Sequence, residues 1–297
     1  MKILISGLVN TETTCRVRQF PVEYYPIDYP FFGVSTAVSG VACNLARALK
    51  TLGDDVALVS MTGRDFPAAY IKAELEKDGI GCENLIACLS QTPSSVVLYD
   101  ETGRRQIYCD LKDIQETACD FPEETVAQAD LVAACNINFN RPLLHLAKSM
   151  GKTIATDVHV LRDIWDGYNR EFIECADILF LSDEGIGEYY HDFLLALAHS
   201  CNAGIIVLGR GGRGAAMYVR AEDQIYELPA VHVGPVVNTV GAGDALFSGF
   251  LHSYAAGYTP LEALQRAQIF AAAKIRTCGA SKGFITESEL EELYRSL

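Results

Sequence analysis

Short apolar runs at 131–135, 153–157, 178–181 and 205–208 recur through the chain, with longer helix-compatible stretches such as 142–150 and 187–199 between them. Runs of four or five residues with little polar alternation suit strands buried on both faces. Antiparallel neighbours can be joined by two residues, whereas parallel neighbours need a crossover of a dozen or more. The spacing therefore predicts a doubly wound, mostly parallel sheet covered on both faces by helices, a three-layer α/β/α arrangement.

The N-terminal part supplies more of the same sheet. Residues 2–6 read as a first buried strand closed by Gly7. From Gly40 to Leu52, Val41, Leu45, Ala48, Leu49 and Leu52 share one helix face, and Gly53 stops it. A strand at 55–61 and an amphipathic helix at 67–77 follow. The tail reads as helices at 245–256, 261–277 and 287–295. Short, polar strands at 95–99 and 106–109 flank Asp100-Glu101-Thr102-Gly103, a good hairpin turn, and a second polar hairpin is expected from 215–219 with 224–228.

The region 20–33 sets Pro21, Pro26 and Pro30 among six aromatic residues, which excludes a helix interior or a central strand. It predicts a projecting extended segment whose rings need cover from a ligand, a lid or another subunit. No repeat or low-complexity linker interrupts the chain. One α/β domain over 1–297 is expected, with a small β-sheet appendage from insertions near 10–35 and 92–112.

Composition narrows the function. At 297 residues and 49% hydrophobic content the chain has ample material for a large core. A formal charge of −14 argues against nucleic acid as a partner, so the Arg210-Gly211-Gly212-Arg213-Gly214 run reads as a turn after a strand. The cysteines are scattered without any C-x-x-C pair, the usage of reduced small hydrophobes and not of a disulfide framework or zinc site. The apolar N-terminus is too short for a signal peptide, and no run approaches the roughly 20 apolar residues of a membrane span. A cytoplasmic protein without membrane attachment or a dedicated metal cage is expected.

In doubly wound sheets, ligands bind at the carboxyl ends of the strands. Asn10 and Glu12 follow the first strand, and Ser39, Gly40 and Asn44 stand ahead of the first helix. Gly63 and Asp65 follow the next strand, Asp157 and His159 a later one, then Ser182, Asp183 and Glu184, and finally Gly209 to Gly214. Polar and Gly-rich elements after nearly every strand suggest one shared cleft.

The sharpest element is Asn238-Thr239-Val240-Gly241-Ala242-Gly243-Asp244, running into an apolar, helix-compatible stretch that ends near Gly257. Its small residues leave the N–H groups of Gly241, Ala242 and Gly243 unshielded at a helix N-terminus, where the dipole favours an anion. Asp244 in the first turn either caps the helix or moves a proton, and the loop alone does not decide between them.

Gly241-Ala242-Gly243-Asp244 with its flanks resembles the C-terminal signature of the ribokinase-like (PfkB) carbohydrate kinases. Gly7-x-x-Asn10-x-Glu12, Gly40-x-x-x-Asn44-x-Ala46 and Thr62-Gly63-x-Asp65 resemble that family's N-terminal elements in matching order, so the resemblance spans essentially the whole chain. It implies ATP-dependent phosphoryl transfer to a hydroxyl of a sugar or sugar derivative, with magnesium arriving with ATP. Asp244 matches the general base, and the N–H groups of Gly241, Ala242 and Gly243 match the anion hole. By the same resemblance Asn10, Glu12, Gly40, Asn44 and Asp65 face the acceptor. Gly209, Glu184 and Gly279, the last in the loop Thr277-Cys278-Gly279-Ala280, serve the nucleotide. The two insertions would form a lid, and since such lids often pair across a dimer, a homodimer through the lid is expected.

Three departures matter. The family usually has Asp at Glu12, and one more methylene changes the reach by roughly 1.5 Å, which favours a different or smaller acceptor. Ser182-Asp183-Glu184 occupies the place of the family's N-x-x-E element. Asn238 also stands where the family usually has Asp, near a site where members bind a monovalent cation through nearby carbonyls. The missing negative charge weakens the expectation of potassium activation. A nucleoside kinase is the nearest alternative, favoured by aromatic residues that can stack on a base. A catalytically silent sugar- or nucleotide-binding regulator is the alternative of another class. A dinucleotide oxidoreductase is disfavoured because no G-x-G-x-x-G follows the first strand.

Overall fold

The computed structural model describes residues 1–277 and 279–297. In chain order the first half forms β1 (Lys2–Ser6), β2 (Asn10–Arg16), β3 (Val34–Ser39), α1 (Val41–Leu52), β4 (Asp55–Thr62), α2 (Phe66–Lys77), β5 (Leu85–Ala87), β6 (Ser94–Tyr99), β7 (Arg105–Asp110), α3 (Glu123–Gln128) and β8 (Leu131–Ala134). The second half forms α4 (Arg141–Ser149), β9 (Thr153–Val160), α5 (Arg170–Cys175), β10 (Ile178–Ser182), α6 (Tyr190–Ser200), β11 (Ile205–Gly209), β12 (Ala215–Val219), β13 (Gln224–Leu228), α7 (Ala242–Ala255), α8 (Pro260–Lys274) and α9 (Glu287–Ser296).

The main sheet has the order β13-β12-β11-β10-β9-β8-β1-β4-β5 and is parallel from β11 through to β5. Alternate residues of its strands serve opposite cores, as the period of two requires. Leu4 packs with Leu143, Leu144, Phe172 and Leu194 on the face covered by α4, α5 and α6. Ile3 and Ile5 pack with Leu45, Leu49, Phe247 and Leu264 on the face covered by α1, α7 and α8. The three-layer α/β/α fold follows, and each large side chain so buried contributes roughly 1.5–3 kcal/mol.

The hairpin over 215–228 is present but differs from its expected polar character. β12 is antiparallel to β11 and extends the main sheet, with all five of its residues buried. Ala216 and Tyr218 enter one core while Ala215, Met217 and Val219 enter the other. Only β13, at the sheet edge, is part-exposed.

The smaller sheet has the order β3-β2-β6-β7. β2 lies antiparallel to β3 and parallel to β6, which puts Asn10 opposite Ser39 and Glu12 opposite Ala37 and Ser95. β2 and β3 are rich in Ser and Thr, whose weak hydrophobic pattern hides strands that β-branching nonetheless favours. β3 runs to Ser39 and leads through Gly40 directly into α1. Between β2 and β3 the chain carries the exposed rings of Tyr24, Tyr29, Phe31 and Phe32.

Helix α7 is pinned at three places. Phe180 of β10 meets the rings of Phe247 and Phe250 at 4.8 and 5.3 Å. Gly249 lets α8 approach so closely that a Cβ there would lie 3.1 Å from the Ala267 Cα. Near its C-terminal end, His252 bridges Asp54 at 2.7 Å and Glu287 at 3.0 Å. Burial pulls the His252 pKa down, but its two carboxylate partners outweigh that and leave it raised. The folded protein thus holds this proton more tightly than the unfolded chain. The resulting stabilisation is complete below about pH 6.5, the ordinary histidine value, and is lost as pH rises through the raised folded value. The melting temperature of the wild type is expected to fall as pH climbs from slightly acid to alkaline, with His252→Gln showing a flatter profile over that window. Identical profiles for the two proteins in thermal melts would refute the assignment.

Candidate active site

Because β1, β4, β8, β9, β10 and β11 run parallel, their carboxyl ends share one edge of the main sheet. The chain reverses its direction of sheet growth between β8 and β1, the kind of switch point where a crevice opens. Gly7 at the end of β1 lies against β8's exit, where a Cβ would meet Cys135 Sγ at 2.5 Å.

The N-terminus of α7 sits over this edge. Gly241 is its N-cap in the left-handed region, φ 80°, and any Cβ there would fall 2.5 Å from the Ala280 carbonyl oxygen, so only glycine fits. No side chain caps the helix. The Ala242 N–H is spent on the Thr239 carbonyl at 3.2 Å, while the Gly241 and Gly243 N–H groups, like that of Asp244, are open donors among the described residues. Beside Gly243 the space is clear, with nothing within 4 Å of an added Cβ. Positive dipole, open amides and free volume together suit an anion.

Asp244, in the first turn, is half-buried and does not cap its own helix. Its Oδ2 accepts from Asn44 Nδ2 of α1 at 2.7 Å. Burial pushes the Asp244 carboxyl up and Asp157 adds to that push, against the Asn44 hydrogen bond, His159 and the charge of Lys274, which hold it down. His159, at the end of β9, has φ 59° and donates its N–H to Asp157 Oδ1 at 2.8 Å. Left-handed backbone is strained for a residue other than glycine.

Toward the small sheet stand the other polar residues singled out in the sequence. Asn10 donates through Nδ2 to Ser95 Oγ at 3.1 Å. Glu12 accepts from Ser39 Oγ at 3.3 Å, and burial raises its carboxyl pKa. The amide oxygens Oδ1 of both Asn10 and Asn44 are buried without a hydrogen-bond partner. Gly40 takes φ 103° at the start of α1, where a Cβ would strike the Leu8 carbonyl oxygen at 2.4 Å.

Asp65 behaves differently. It caps α2 through Ala68 N–H at 3.1 Å and accepts from Thr92 through both the N–H and the hydroxyl, at 2.8 and 2.6 Å. These hydrogen bonds outweigh burial and lower its pKa. Both carboxylate oxygens are therefore committed to joining α2 to the segment before β6.

Farther along the edge, an open cavity of about 620 Å³ lies between the Ser182–Gly187 loop and Arg210, Gly211 and Arg213. Glu184 is exposed on it, whereas Asp183 is buried and paired with Arg213 and Arg210. The Arg162 side chain lies against Gly185, and the Arg210 guanidinium stacks 3.6 Å over Tyr190. Gly209 ends β11 next to α7, with Leu246 3.6 Å from an added Cβ. Gly279 follows α8 with φ 87°; its neighbour Cys278 lies outside the described residues. Arg162 was not among the sequence candidates; Arg210 and Arg213 lie in the Gly209–Gly214 segment, where they were read only as flanking a turn. Among the described residues, no group of three or more His, Cys, Asp or Glu side chains is gathered to hold a metal, and no helix is long and apolar enough to cross a membrane.

Known proteins are similar to this chain in architecture and in sequence. The chain is 25% identical over 270 residues to fructosamine kinase FrlD of Bacillus subtilis, covering 89% of each protein. It is 27% identical over 290 residues to a nucleoside kinase of Methanothermobacter thermautotrophicus, covering 88% of this chain and 84% of that one. The structure of the microbiome-derived acarbose kinase Mak1 superposes with a TM-score of 0.89 at 22% identity, over 99% of this chain and 98% of that one. The model of the pfkB family carbohydrate kinases matches residues 2–287. The chain belongs to that family and is a phosphotransferase with a hydroxyl acceptor.

Proposed function

We propose that this kinase transfers the γ-phosphoryl group of ATP to a hydroxyl of a sugar or sugar derivative, with Asp244 as the general base. The observation that carries this reading is the 2.7 Å bond from Asn44 to Asp244 Oδ2, beside an uncapped helix N-terminus. Asn44 fixes the carboxylate and leaves Oδ1 to take the alcohol proton. A raised pKa makes the ionised Asp244 a stronger proton acceptor than an ordinary carboxylate. As the acceptor's O–H bond breaks and its oxygen attacks phosphorus, charge spreads over the transferring oxygens and leaves with the departing diphosphate. The open amides of Gly241 and Gly243 are aimed at such charge, and preorganised donors are worth most in a closed site.

ATP supplies the phosphoryl group, and its magnesium neutralises the phosphates. Arg210 and Arg213 line the cavity beside Glu184, and Arg162 lies against Gly185 of its loop, which suits an anionic nucleotide; Gly209 and Gly279 would serve the nucleotide as well. Asn10, Glu12, Gly40 and Asn44 border the acceptor, with Asp65 supporting that region through α2. The unpartnered amide oxygens of Asn10 and Asn44 call for O–H donors, and each costs about 1–3 kcal/mol while unsatisfied. A polyhydroxylated acceptor supplies such donors at closely spaced points. The four-stranded sheet would act as the lid, closing to exclude water. The exposed rings of 24–32 support pairing of two lids in a homodimer, which light scattering at micromolar concentration tests: a monomer there would remove it. That every described cysteine is a free thiol favours a reducing, cytoplasmic setting.

Asp244→Asn is expected to lower kcat by about 10²–10⁴-fold, the usual worth of a positioned base, while ATP affinity changes little. Full activity in the variant would overturn the assignment. In the wild type, kcat should fall on acidification through an apparent pKa above about 3.9, the ordinary aspartate value, because only the ionised base accepts a proton. ADP release across a panel of sugars, sugar derivatives and nucleosides identifies the acceptor, and Asn10→Ala should raise KM for it by about 5–50-fold, the worth of one or two hydrogen bonds. If only nucleosides released ADP, the sugar reading would fall.

A further inference from the structure

Lys274 ends α8 with its side chain completely buried. A lysine in the last turn of a helix ordinarily extends into water and merely complements the dipole. This one folds back. Its Nζ donates to the Gly279 carbonyl at 2.6 Å and to the Val240 carbonyl at 3.3 Å, with the Phe284 ring 6.0 Å away.

The two carbonyls belong to the two backbone segments that meet at the start of α7. Val240 directly precedes the N-cap Gly241, and Gly279 directly precedes Ala280, whose carbonyl forces glycine at 241. Val237 and Asn238 add N–H bonds to the Ile275 carbonyl at 2.9 and 3.1 Å. The loop at the start of α7 is therefore fastened to the end of α8 by two amides and one ammonium. Removing an ammonium from water costs several kcal/mol unless oxygen ligands replace the hydration, and the backbone oxygens here serve that purpose.

Around the same spot the chain lacks the usual acidic residue. Asn238 turns its Oδ1 inward onto Val240 N–H at 2.7 Å and brings no negative charge. A free monovalent cation held by these carbonyls would have to share their oxygens with Lys274, so the residues present do not fit an external ion. The charge of Lys274 is felt at the base, since it helps to hold the Asp244 carboxyl down.

We propose that the Lys274 ammonium is a tethered monovalent cation: it fixes residues 237–241 against 279–280 and makes this kinase independent of potassium. Lys274 is then a positioning residue for this loop, and the activity part of the claim rests on the phosphotransfer reading above.

The experiment compares wild type, Lys274→Ala and Lys274→Met in buffers whose only monovalent cation is tetramethylammonium, lithium, sodium, potassium or ammonium. Initial rates and melting temperatures are both recorded. Wild-type rate and melting temperature should be the same in all five, within about twofold for the rate. Lys274→Ala should lose about 10–100-fold in rate, as expected for two orphaned carbonyls at a catalytic loop. It should recover rate and melting temperature with potassium or ammonium but not with lithium or tetramethylammonium. Lys274→Met, which fills the space without charge, should lose rate and recover nothing. Severalfold activation of the wild type by potassium would overturn the proposal, and that measurement stands even if neither variant folds. So would a Lys274→Ala protein with full rate, or one whose losses no monovalent cation repairs, which would make Lys274 a structural buttress only. The cation dependence of melting needs no acceptor, so it separates failure of this proposal from failure of the phosphotransfer reading.

Discussion

Asn44 and Asp244 lie 200 residues apart in sequence and 2.7 Å apart through one hydrogen bond. That bond joins α1, built in the first half of the chain, to α7, built in the last quarter, above the reversal point of the sheet. Much of the architecture keeps the two helices in register for it. The rings of Phe180, Phe247 and Phe250 fix how far α7 slides along β10, and Gly249 fixes how close α8 comes. His252 ties the far end of α7 to the turn before β4 and to α9. A displacement of one ångström would cost the amide its carboxylate, and misplacement on that scale is what catalysis tolerates least.

The parallel strands and their helices were legible in the sequence because runs buried on both faces leave an unmistakable apolar signature. Residues 205–208 and 178–181 needed no tertiary knowledge to be placed. β2 and β3 were harder, since Asn10–Arg16 and Val34–Ser39 carry Thr and Ser where a core strand carries Ile and Val. The hairpin over 215–228 was legible as a hairpin but not as part of the main sheet. Whether Ala215, Met217 and Val219 meet a core depends on what lies across from them, and pattern alone does not say.

The same limit applies to single polar residues. Gly241 to Asp244 announced themselves through composition, and Asn44 through its place at a helix start. Asp65 shows the ambiguity of such signals: its carboxylate is consumed by Ala68 and Thr92, and only partners distant in sequence reveal that. Lys274 left a faint trace as one charge after Ala271-Ala272-Ala273 in an otherwise small, apolar helix end. A lone lysine at a helix end is nearly always solvated, and its burial emerges only when the loops carrying Val240 and Gly279 are seen to close over it.

Electrostatics resolves the oddity of an acidic protein that handles polyanions. A formal charge of −14 repels a nucleic acid, whose contacts run over many phosphates. It matters far less to a nucleotide entering a cleft, because charges beyond a Debye length of about 8 Å are largely screened at physiological salt. What counts is local. Arg162, Arg210 and Arg213 gather near the Ser182–Gly187 loop, and the amides and dipole of α7 add positive potential where no side chain caps it. Of the two acids that line that cavity, Asp183 is paired with two of those arginines and Glu184 is exposed. Asp244 is left as the carboxylate beside the open amides, held by an uncharged amide from Asn44. A cationic partner in Asn44's place would pull the Asp244 pKa down; an amide orients the carboxylate with much less loss of basicity.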